Sequence, residues 1–280
     1  MKLALLLAGF ALPAFAAEYT IHAIRYADSP GDPVSSMVLG APEGETIDSV
    51  YAFWLIRGDG RIVLFDSGFY RERWFEEWTI ADYLRPDDVL RQAGVEPDEV
   101  TDVIISHIHW DHAGGVDLFP NATVWIQREE YSYYTGDAWQ ADGNHGGVDP
   151  DDIAALVRLN TDGRLRLVDG DDREILPGIR AFTGARHTYA SQYLLVDGNP
   201  PVVLASDNVY LYRNLAESLP GATFAESDHA ANVAAQRRMA ELAGSVDRIV
   251  PGHDALQFER YPAKGRIATI RNHDGEHDDD

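Results

Sequence analysis

The stretch SHIHWDHAGG, residues 106–115, places three of the chain's ten histidines and an aspartate within six consecutive positions. The apolar run VTDVIIS (100–106) leads into it and predicts a buried strand, so the histidines stand where that strand ends. Strand ends are where sheets present functional groups on a fixed backbone. The stretch therefore predicts a metal site, provided that further ligands come from elsewhere; a chance cluster on a polar loop is the alternative.

The same arrangement recurs farther along the chain. Short apolar runs lead to His187 in IRAFTGARH, to Asp207 in VVLASD and to His253 in RIVPGH. Because each run predicts a strand, we expect these side chains to meet the cluster at one place. Asp66 follows IVLF in the same way and is predicted to orient a ligand imidazole through a hydrogen bond.

The candidate ligands form two groups that share one carboxylate. The first ion is predicted to be bound by His107, His109 and His187. The second is predicted to be bound by Asp111, His112 and His253, with Asp207 bridging the two ions. The chain has no cysteine, and imidazole and carboxylate donors suit Zn²⁺, with iron, cobalt and manganese as alternatives. Structural zinc sites are usually mononuclear and closed, so a pair of divalent ions favours hydrolytic chemistry.

The motifs HIHWDHAGG, GARHT, LASD and VPGHD, in this order and spacing, resemble those of the metallo-β-lactamase superfamily. The resemblance covers about residues 50 to 256. It implies an α/β fold, a four-layer αβ/βα sandwich in which two mixed β-sheets are flanked by helices and the metals lie at one edge. Members that require a cysteine ligand are excluded.

Within that superfamily the chain is similar to the N-acyl homoserine lactone lactonases. The similarity is carried by Tyr210 in ASDNVY, by HAGG, and by the segments WIQREEY (125–131) and GHDALQFE (252–259). It implies that the Tyr210 hydroxyl contacts the substrate carbonyl. The segment GARHTYASQ (184–192) departs from the GHTPGH-like segment usual in the family, which bears on loop shape and substrate size.

The predicted function is the opening of lactone rings, N-acyl homoserine lactones first among them, as in quorum quenching, by a dinuclear metal-dependent hydrolase. Two ions would lower the pKa of a bridging water, and the resulting hydroxide would attack the lactone carbonyl carbon. Tyr210 would stabilise the oxyanion, and Asp111 would pass a proton to the leaving oxygen. The alternatives are a thioester or phosphodiester hydrolase of the same fold and a metal-loaded binding protein without turnover.

Composition limits the partners. A formal charge of −23 makes nucleic acid an unfavourable partner and favours a small neutral or apolar substrate. Residues 1–16 have the pattern of a signal peptide ending in Ala-Phe-Ala, so we expect export to a periplasm or the exterior. No later run approaches the roughly 20 apolar residues of a membrane span. A metallo-hydrolase domain is predicted over 17–272 and an acidic, disordered tail over 273–280; a homodimer is one alternative for the oligomeric state.

Local patterns predict mainly strands. Residues 18–27 alternate like a strand that the Pro- and Gly-rich residues 29–33 end, and 50–68 reads as a β-hairpin. Helices are predicted over 86–94 and 229–244.

The segment 135–152 lacks periodicity and is predicted to be a loop or flap beside the site. Two sets of side chains are candidates for substrate contact, with ordinary packing as the alternative. The acyl-chain candidates are Met37, Val38, Leu39, Phe53 and Trp54. The lid candidates are Tyr131, Tyr133, Tyr134 and Trp139.

Overall fold

The computed structural model describes residues 19–184, 186–222 and 228–272. The predicted signal peptide (1–16) and acidic tail (273–280) lie outside the described residues. The strands are Thr20–Pro33 (β1), Thr46–Gly58 (β2), Arg61–Phe65 (β3), Asp102–Ile104 (β4), Thr123–Gln127 (β5), Leu165–Val168 (β6), Arg173–Leu176 (β7), Ile179–Thr183 (β8), Gln192–Val196 (β9), Val202–Ser206 (β10), Ile249–Pro251 (β11), Ala263–Lys264 (β12) and Ile267–Arg271 (β13).

The helices connect or follow these strands. They are Arg73–Glu77 (α1), Pro86–Gln92 (α2), Trp110–Ala113 (α3), Arg128–Tyr134 (α4), Pro150–Thr161 (α5), Tyr212–Glu217 (α6), His229–Ala243 (α7) and Gln257–Arg260 (α8). Short 3-10 turns occupy Val34–Ser36, Pro97–Glu99, Val116–Leu118, Asp137–Trp139 and Val246–Arg248. None of the helices within the described ranges has the length and apolar character needed to cross a bilayer.

The strands form two mixed sheets. The larger sheet has the order β12-β13-β1-β2-β3-β4-β5-β6, and the smaller has the order β11-β10-β9-β8-β7. In the larger sheet β3, β4, β5 and β6 run parallel to one another, whereas β1 and β2 are antiparallel. Because parallel strands end on the same edge, this edge collects the residues that follow β3 and β4.

Alternation along the strands explains the layers. In β2, Phe53 and Leu55 face a core shared with α1, α2 and α5, whereas Trp54 faces the other sheet. In β10, Leu204 faces the larger sheet, whereas Val203 packs with α6 and α7. Successive side chains of a strand point to opposite faces, so two sheets with apolar residues on both faces need a helical layer outside each. The predicted αβ/βα four-layer sandwich is confirmed.

The predicted hairpin and helices are confirmed. Asp59 and Gly60 connect β2 to β3 with φ values of 50° and 67°, the positive angles that a tight hairpin turn requires. The α7 helix begins after Asp228, whose side chain accepts a hydrogen bond from the Ala231 N–H at 2.9 Å, and it ends at Gly244 with φ 71°.

Two boundary predictions are wrong. Residues 29–33 do not end the first strand, because a register shift between Ser29 and Asp32 accommodates Pro30 and Gly31 and pairing with β2 then resumes. The predicted loop 135–152 includes the start of α5. There the Asp149 side chain caps the helix by accepting from the Asp151 N–H at 2.9 Å, and Pro150 occupies the first turn, where its missing N–H costs nothing.

Candidate metal centre

The seven predicted ligands meet at one end of the sandwich, between the two sheets' strand ends. His107 and His109 follow β4, and Asp111 and His112 lie in the short helix α3 that comes next. The strand β8 leads to His187, β10 to Asp207 and β11 to His253. Their candidate donor atoms fall into two groups, within each of which they lie within 4.8 Å of one another. The groups are His107, His109, His187 and Asp207, and Asp111, His112 and His253.

In the first group, three ring nitrogens lie within 3.1 Å of one another. His187 Nε2 lies 3.1 Å from His107 Nε2 and 2.9 Å from His109 Nδ1. The latter two nitrogens are 3.1 Å apart, and Asp207 Oδ2 lies 3.4 Å from His187 Nε2. One cation therefore has three imidazole nitrogens and a carboxylate oxygen within reach.

The second group is completed by the other oxygen of the same aspartate. Asp207 Oδ1 lies 3.0 Å from His253 Nε2 and 3.2 Å from His112 Nε2. Asp111 Oδ2 lies 3.2 Å from His112 Nε2 and 3.6 Å from His253 Nε2. The two oxygens of Asp207 thus face different groups, which is the arrangement of a bridging carboxylate.

Two buried polar atoms indicate that a cation fits at this site. His112 Nε2 and Asp207 Oδ1 are buried, and neither has a hydrogen-bond partner of good geometry among the described residues. Burying such atoms without a partner is costly, and a divalent cation between them would supply one. The fold and this histidine–aspartate donor set support divalent metal ions at the site.

The two groups differ in their electrostatics. Burial and the adjacent imidazoles lower the pKa of His107 well below its usual range and that of His109 to about 3. Burial also opposes a charge on His253, yet Asp207 and Asp111 raise its pKa to about 9. Neutral imidazole is the form that binds metal, and the first group already has it. In the second group, a cation would displace the proton that the carboxylates stabilise on the His253 imidazole.

Asp66 lies where the sequence predicts, behind His112. Its Oδ2 is 2.8 Å from His112 Nδ1 and accepts hydrogen bonds from the Ser106 and Ser206 hydroxyls, each at 2.9 Å. Its Oδ1 accepts from the Ser106 N–H at 2.7 Å. When His112 donates a hydrogen bond from Nδ1 to Asp66, its other ring nitrogen, Nε2, is the one that can bind a cation.

His253 is oriented by the backbone of β2. Its Nδ1 donates to the Val50 carbonyl at 2.9 Å, and the Val50 N–H donates to the His253 carbonyl at 3.0 Å. The preceding residue must be small, because a Cβ at Gly252 would lie 2.6 Å from Asp207 Oδ1. The backbone just after β11 therefore approaches the Asp207 carboxylate as closely as glycine permits.

Glu130 is a buried acid that the sequence analysis does not single out. Its Oε1 accepts from the Ile108 N–H at 3.0 Å and the Thr188 hydroxyl at 2.6 Å, and its Oε2 accepts from the Ala190 N–H at 2.6 Å. Burial raises its pKa to about 7, although these hydrogen bonds act in the opposite direction. Glu130 thus ties the loop of His107 and His109 to the loop of His187. The WIQREEY segment contains it, but adjacent glutamates give no periodicity that marks one as buried.

Tyr210 lies against both ligand groups. Its hydroxyl is 3.1 Å from His187 Nδ1, and its ring stacks on that of His253 with centroids 5.7 Å apart. Tyr210 and Asp111 both line the cavity that opens beside the metal groups.

That cavity has a volume of about 670 Å³. Met37, Tyr133 and Tyr134 line it, as the sequence suggests, whereas Phe53 and Trp54 are buried in the cores instead. The cavity is also lined by residues that the sequence patterns do not mark as site candidates, among them Asp32, Ser49 and Trp78.

A protein-family model matches the part of the chain that carries these ligands. The model described as the metallo-beta-lactamase superfamily matches residues 49–253, which include all seven candidate ligands. The chain belongs to the metallo-β-lactamase superfamily. Asp66 also falls inside the matched residues, whereas Asp32 lies before them.

Relatives within the superfamily are lactonases by name. An N-acyl homoserine lactonase of a Bacillus species is 30% identical over 173 residues, covering 61% of this chain and 62% of that protein. The match therefore spans less than two thirds of the relative's length. The crystal structure of a quorum-quenching N-acyl homoserine lactone lactonase superposes with a TM-score of 0.71 at 22% identity, covering 87% of this chain and 95% of the other. AidC, a dizinc quorum-quenching lactonase in complex with a product, superposes with a TM-score of 0.63 at 16% identity, covering 85% of this chain and 88% of the other.

Proposed function

We propose that this protein is a metal-dependent hydrolase that opens lactone rings, with N-acyl homoserine lactones as its main substrates and two Zn²⁺ ions as its cofactors. The observation that carries the proposal is the position of Asp207, whose two oxygens face separate ligand groups beside an open cavity. The lactonases named above add support for the substrate class.

The proposed ligands form two sets, one for each ion. His107, His109 and His187 would hold one ion, and Asp111, His112 and His253 would hold the other, with one oxygen of Asp207 available to each group. Divalent ions in such a centre supply Lewis acidity and an activated water near neutral pH. Asp66 and the Val50 carbonyl keep their imidazoles in the tautomer that presents Nε2 to the ion.

Tyr210 supplies a hydroxyl for the oxyanion. With His187 Nε2 turned toward the first group, its Nδ1–H donates to the Tyr210 oxygen, 3.1 Å away. We assign the Tyr210 hydroxyl, which lines the cavity, the donation of a hydrogen bond to the lactone carbonyl oxygen. A donor aimed at the developing negative charge contributes about 3 kcal/mol to transition-state stabilisation.

Asp111 is placed to move the proton. Its carboxylate lines the cavity and faces His112 and His253. We assign it the transfer of a proton from the attacking water to the ring oxygen as the carbon–oxygen bond breaks.

Charge around the cavity favours a neutral substrate over a phosphodiester or a thioester with carboxylates. Among the described residues, Arg186 is the one lysine or arginine that lines the cavity, and Asp32 stands there as an opposing charge. Apart from the metal centre, the cavity wall therefore offers little positive charge to offset the desolvation of a substrate's anionic groups.

A hydrolysis panel tests the proposal. Purified protein of measured metal content is given short- and long-chain N-acyl homoserine lactones, simple γ- and δ-lactones, a phosphodiester and a thioester. We expect turnover of the lactones, fastest for the acylated homoserine lactones. Cleavage confined to the phosphodiester or thioester would show a different hydrolase, and full metal content without turnover would show a binding protein.

A further inference from the structure

Asp32 places a carboxylate in the cavity wall outside the ligand set. It lies in the last part of β1, after the register shift, paired with Ile47 of β2. Its Oδ1 accepts from the Ser29 hydroxyl at 3.0 Å, and its Oδ2 accepts from the Ser49 hydroxyl. Both serines are only 2% exposed, so buried hydroxyls hold this carboxylate while it faces the cavity.

Asp32 and His253 of the second ligand group contact the same stretch of β2. Ser49 directly precedes Val50, whose carbonyl accepts from His253 Nδ1 at 2.9 Å. Tyr51, the next residue, lines the cavity and places its ring edge-on to that of His253, with centroids 5.7 Å apart. One stretch of β2 therefore orients a metal ligand, a cavity aromatic and the carboxylate of Asp32.

The chemistry of this carboxylate selects what can bind to it. Asp32 forms no ion pair with any residue of the described ranges. A carboxylate has roughly four acceptor positions, and two serine hydroxyls leave the others available. It cannot donate, so it accepts an N–H or O–H from a substrate and repels an anion.

We propose that Asp32 is a specificity-determining residue that accepts the N–H of a substituent carried by the lactone ring. The inference rests on the proposed function and narrows it to neutral lactones with an acylamino group beside the ring carbonyl. A site built to receive a hydrogen bond discriminates strongly against an analogue that lacks the donor, because the site's polar group is then left unpaired.

Two lactones of matched size separate this role from a structural one. N-hexanoyl homoserine lactone carries the N–H, whereas a γ-butyrolactone with an alkyl chain of the same length at the same carbon does not. The variants are Asp32→Asn, which keeps the shape and removes the charge, and Asp32→Ala. The control is Asp48→Asn, an exposed carboxylate of the neighbouring strand that accepts from the Gly31 N–H at 3.0 Å. Melting temperature and metal content are measured for each.

We expect Asp32→Ala, which removes the acceptor, to lower kcat/KM for the acylamino lactone by about tenfold or more, mainly through KM, and to leave the alkyl lactone within about twofold. Asp32→Asn keeps an amide oxygen that accepts an N–H, so it should lose less on the acylamino lactone and likewise leave the alkyl lactone within about twofold. Asp48→Asn should change neither. An equal loss on both lactones would assign Asp32 a structural role and overturn the inference, as would unchanged kcat/KM on both. If the unaltered protein hydrolyses neither lactone, the proposed function itself fails, and the inference fails with it.

Discussion

Asp207 is the residue on which both ligand groups depend. Its two oxygens lie 3.4 Å from His187 Nε2 and 3.0 Å from His253 Nε2, on opposite sides of the carboxylate. A neutral amide at this position would keep the shape and remove the negative charge that two cations would share.

We therefore expect Asp207→Asn to reduce bound metal from two equivalents per chain to one or fewer and to abolish most lactone turnover. Elemental analysis after dialysis measures this directly. The control is Asp162→Asn, an exposed aspartate at the end of α5. Two firmly held equivalents in Asp207→Asn would contradict the bridging role.

Tyr210 is the residue whose removal should separate chemistry from metal binding. Phenylalanine keeps the ring that stacks on His253 and deletes the hydroxyl that lies 3.1 Å from His187. Loss of one oxyanion donor typically lowers kcat by about a hundredfold. We expect Tyr210→Phe to show such a loss with unchanged metal content. Full kcat on every lactone that the parent hydrolyses would refute the assigned role.

Single residues at strand ends were the part of the site that the sequence could predict. His187, Asp207 and His253 each follow an apolar run, so the pattern itself places them at the end of a buried strand. Asp32 could not be found in this way, since its place in the cavity depends on a register shift of β1 that local pattern does not encode. Glu130 was missed for a related reason, because its partners lie on two loops distant in sequence.

The helix α4 holds the two ligand loops together from outside the site. Glu130, on its first turn, accepts three hydrogen bonds from the loops that carry His109 and His187. Glutamine has the same size, but its amide group would place an N–H donor against a backbone N–H of one of these loops. The loops would then separate slightly at the first ligand group, while Asp66 would still hold the second.

We expect Glu130→Gln to weaken the first metal site by about ten- to a hundredfold, the usual cost of losing a residue that supports metal ligands. Chelator titration with metal readout should show one weakened equivalent and one unchanged. The matched control is Glu129→Gln, the exposed neighbour on the same turn. Equal weakening of both equivalents, or of neither, would be inconsistent with this role of Glu130.

Element prediction succeeded where capping or turn chemistry was local. The Asp59-Gly60 turn and the Asp228 and Gly244 boundaries of α7 are each determined by residues close together in the sequence. It failed for α5, whose Asp149 cap and Pro150 lie in a Gly- and Asp-rich segment that resembles a loop. The β7 strand (Arg173–Leu176) was also missed, because it is short, mostly exposed and stabilised by pairing with β8.

At the scale of the whole molecule, the core between the two sheets keeps the ligand-bearing strands at a fixed separation. Leu204 of β10 is fully buried there, three residues before Asp207. The layered architecture was predicted from the resemblance to the metallo-β-lactamase superfamily, and it is explained by strands that are apolar on both faces and so require covering on both sides. The pairing order of the strands was not, since it follows from contacts between distant segments.

Truncating this side chain should lower stability without touching a ligand. We expect Leu204→Ala to reduce the free energy of unfolding by about 2–5 kcal/mol, the cost of a cavity in a packed core. Leu256→Ala, at a leucine that is 39% exposed, should change it by about 0.5 kcal/mol or less. Denaturant unfolding of both variants gives the comparison, and similar values for the two would argue against a tight core between the sheets.

The most direct test of the central claim is a metal titration of the apoprotein followed by lactone hydrolysis. If two cations share Asp207, activity toward N-hexanoyl homoserine lactone should be absent without metal and should rise to its maximum only as the second equivalent of Zn²⁺ binds. Full activity at one equivalent, or activity that persists in metal-free protein, would contradict a centre of two ions.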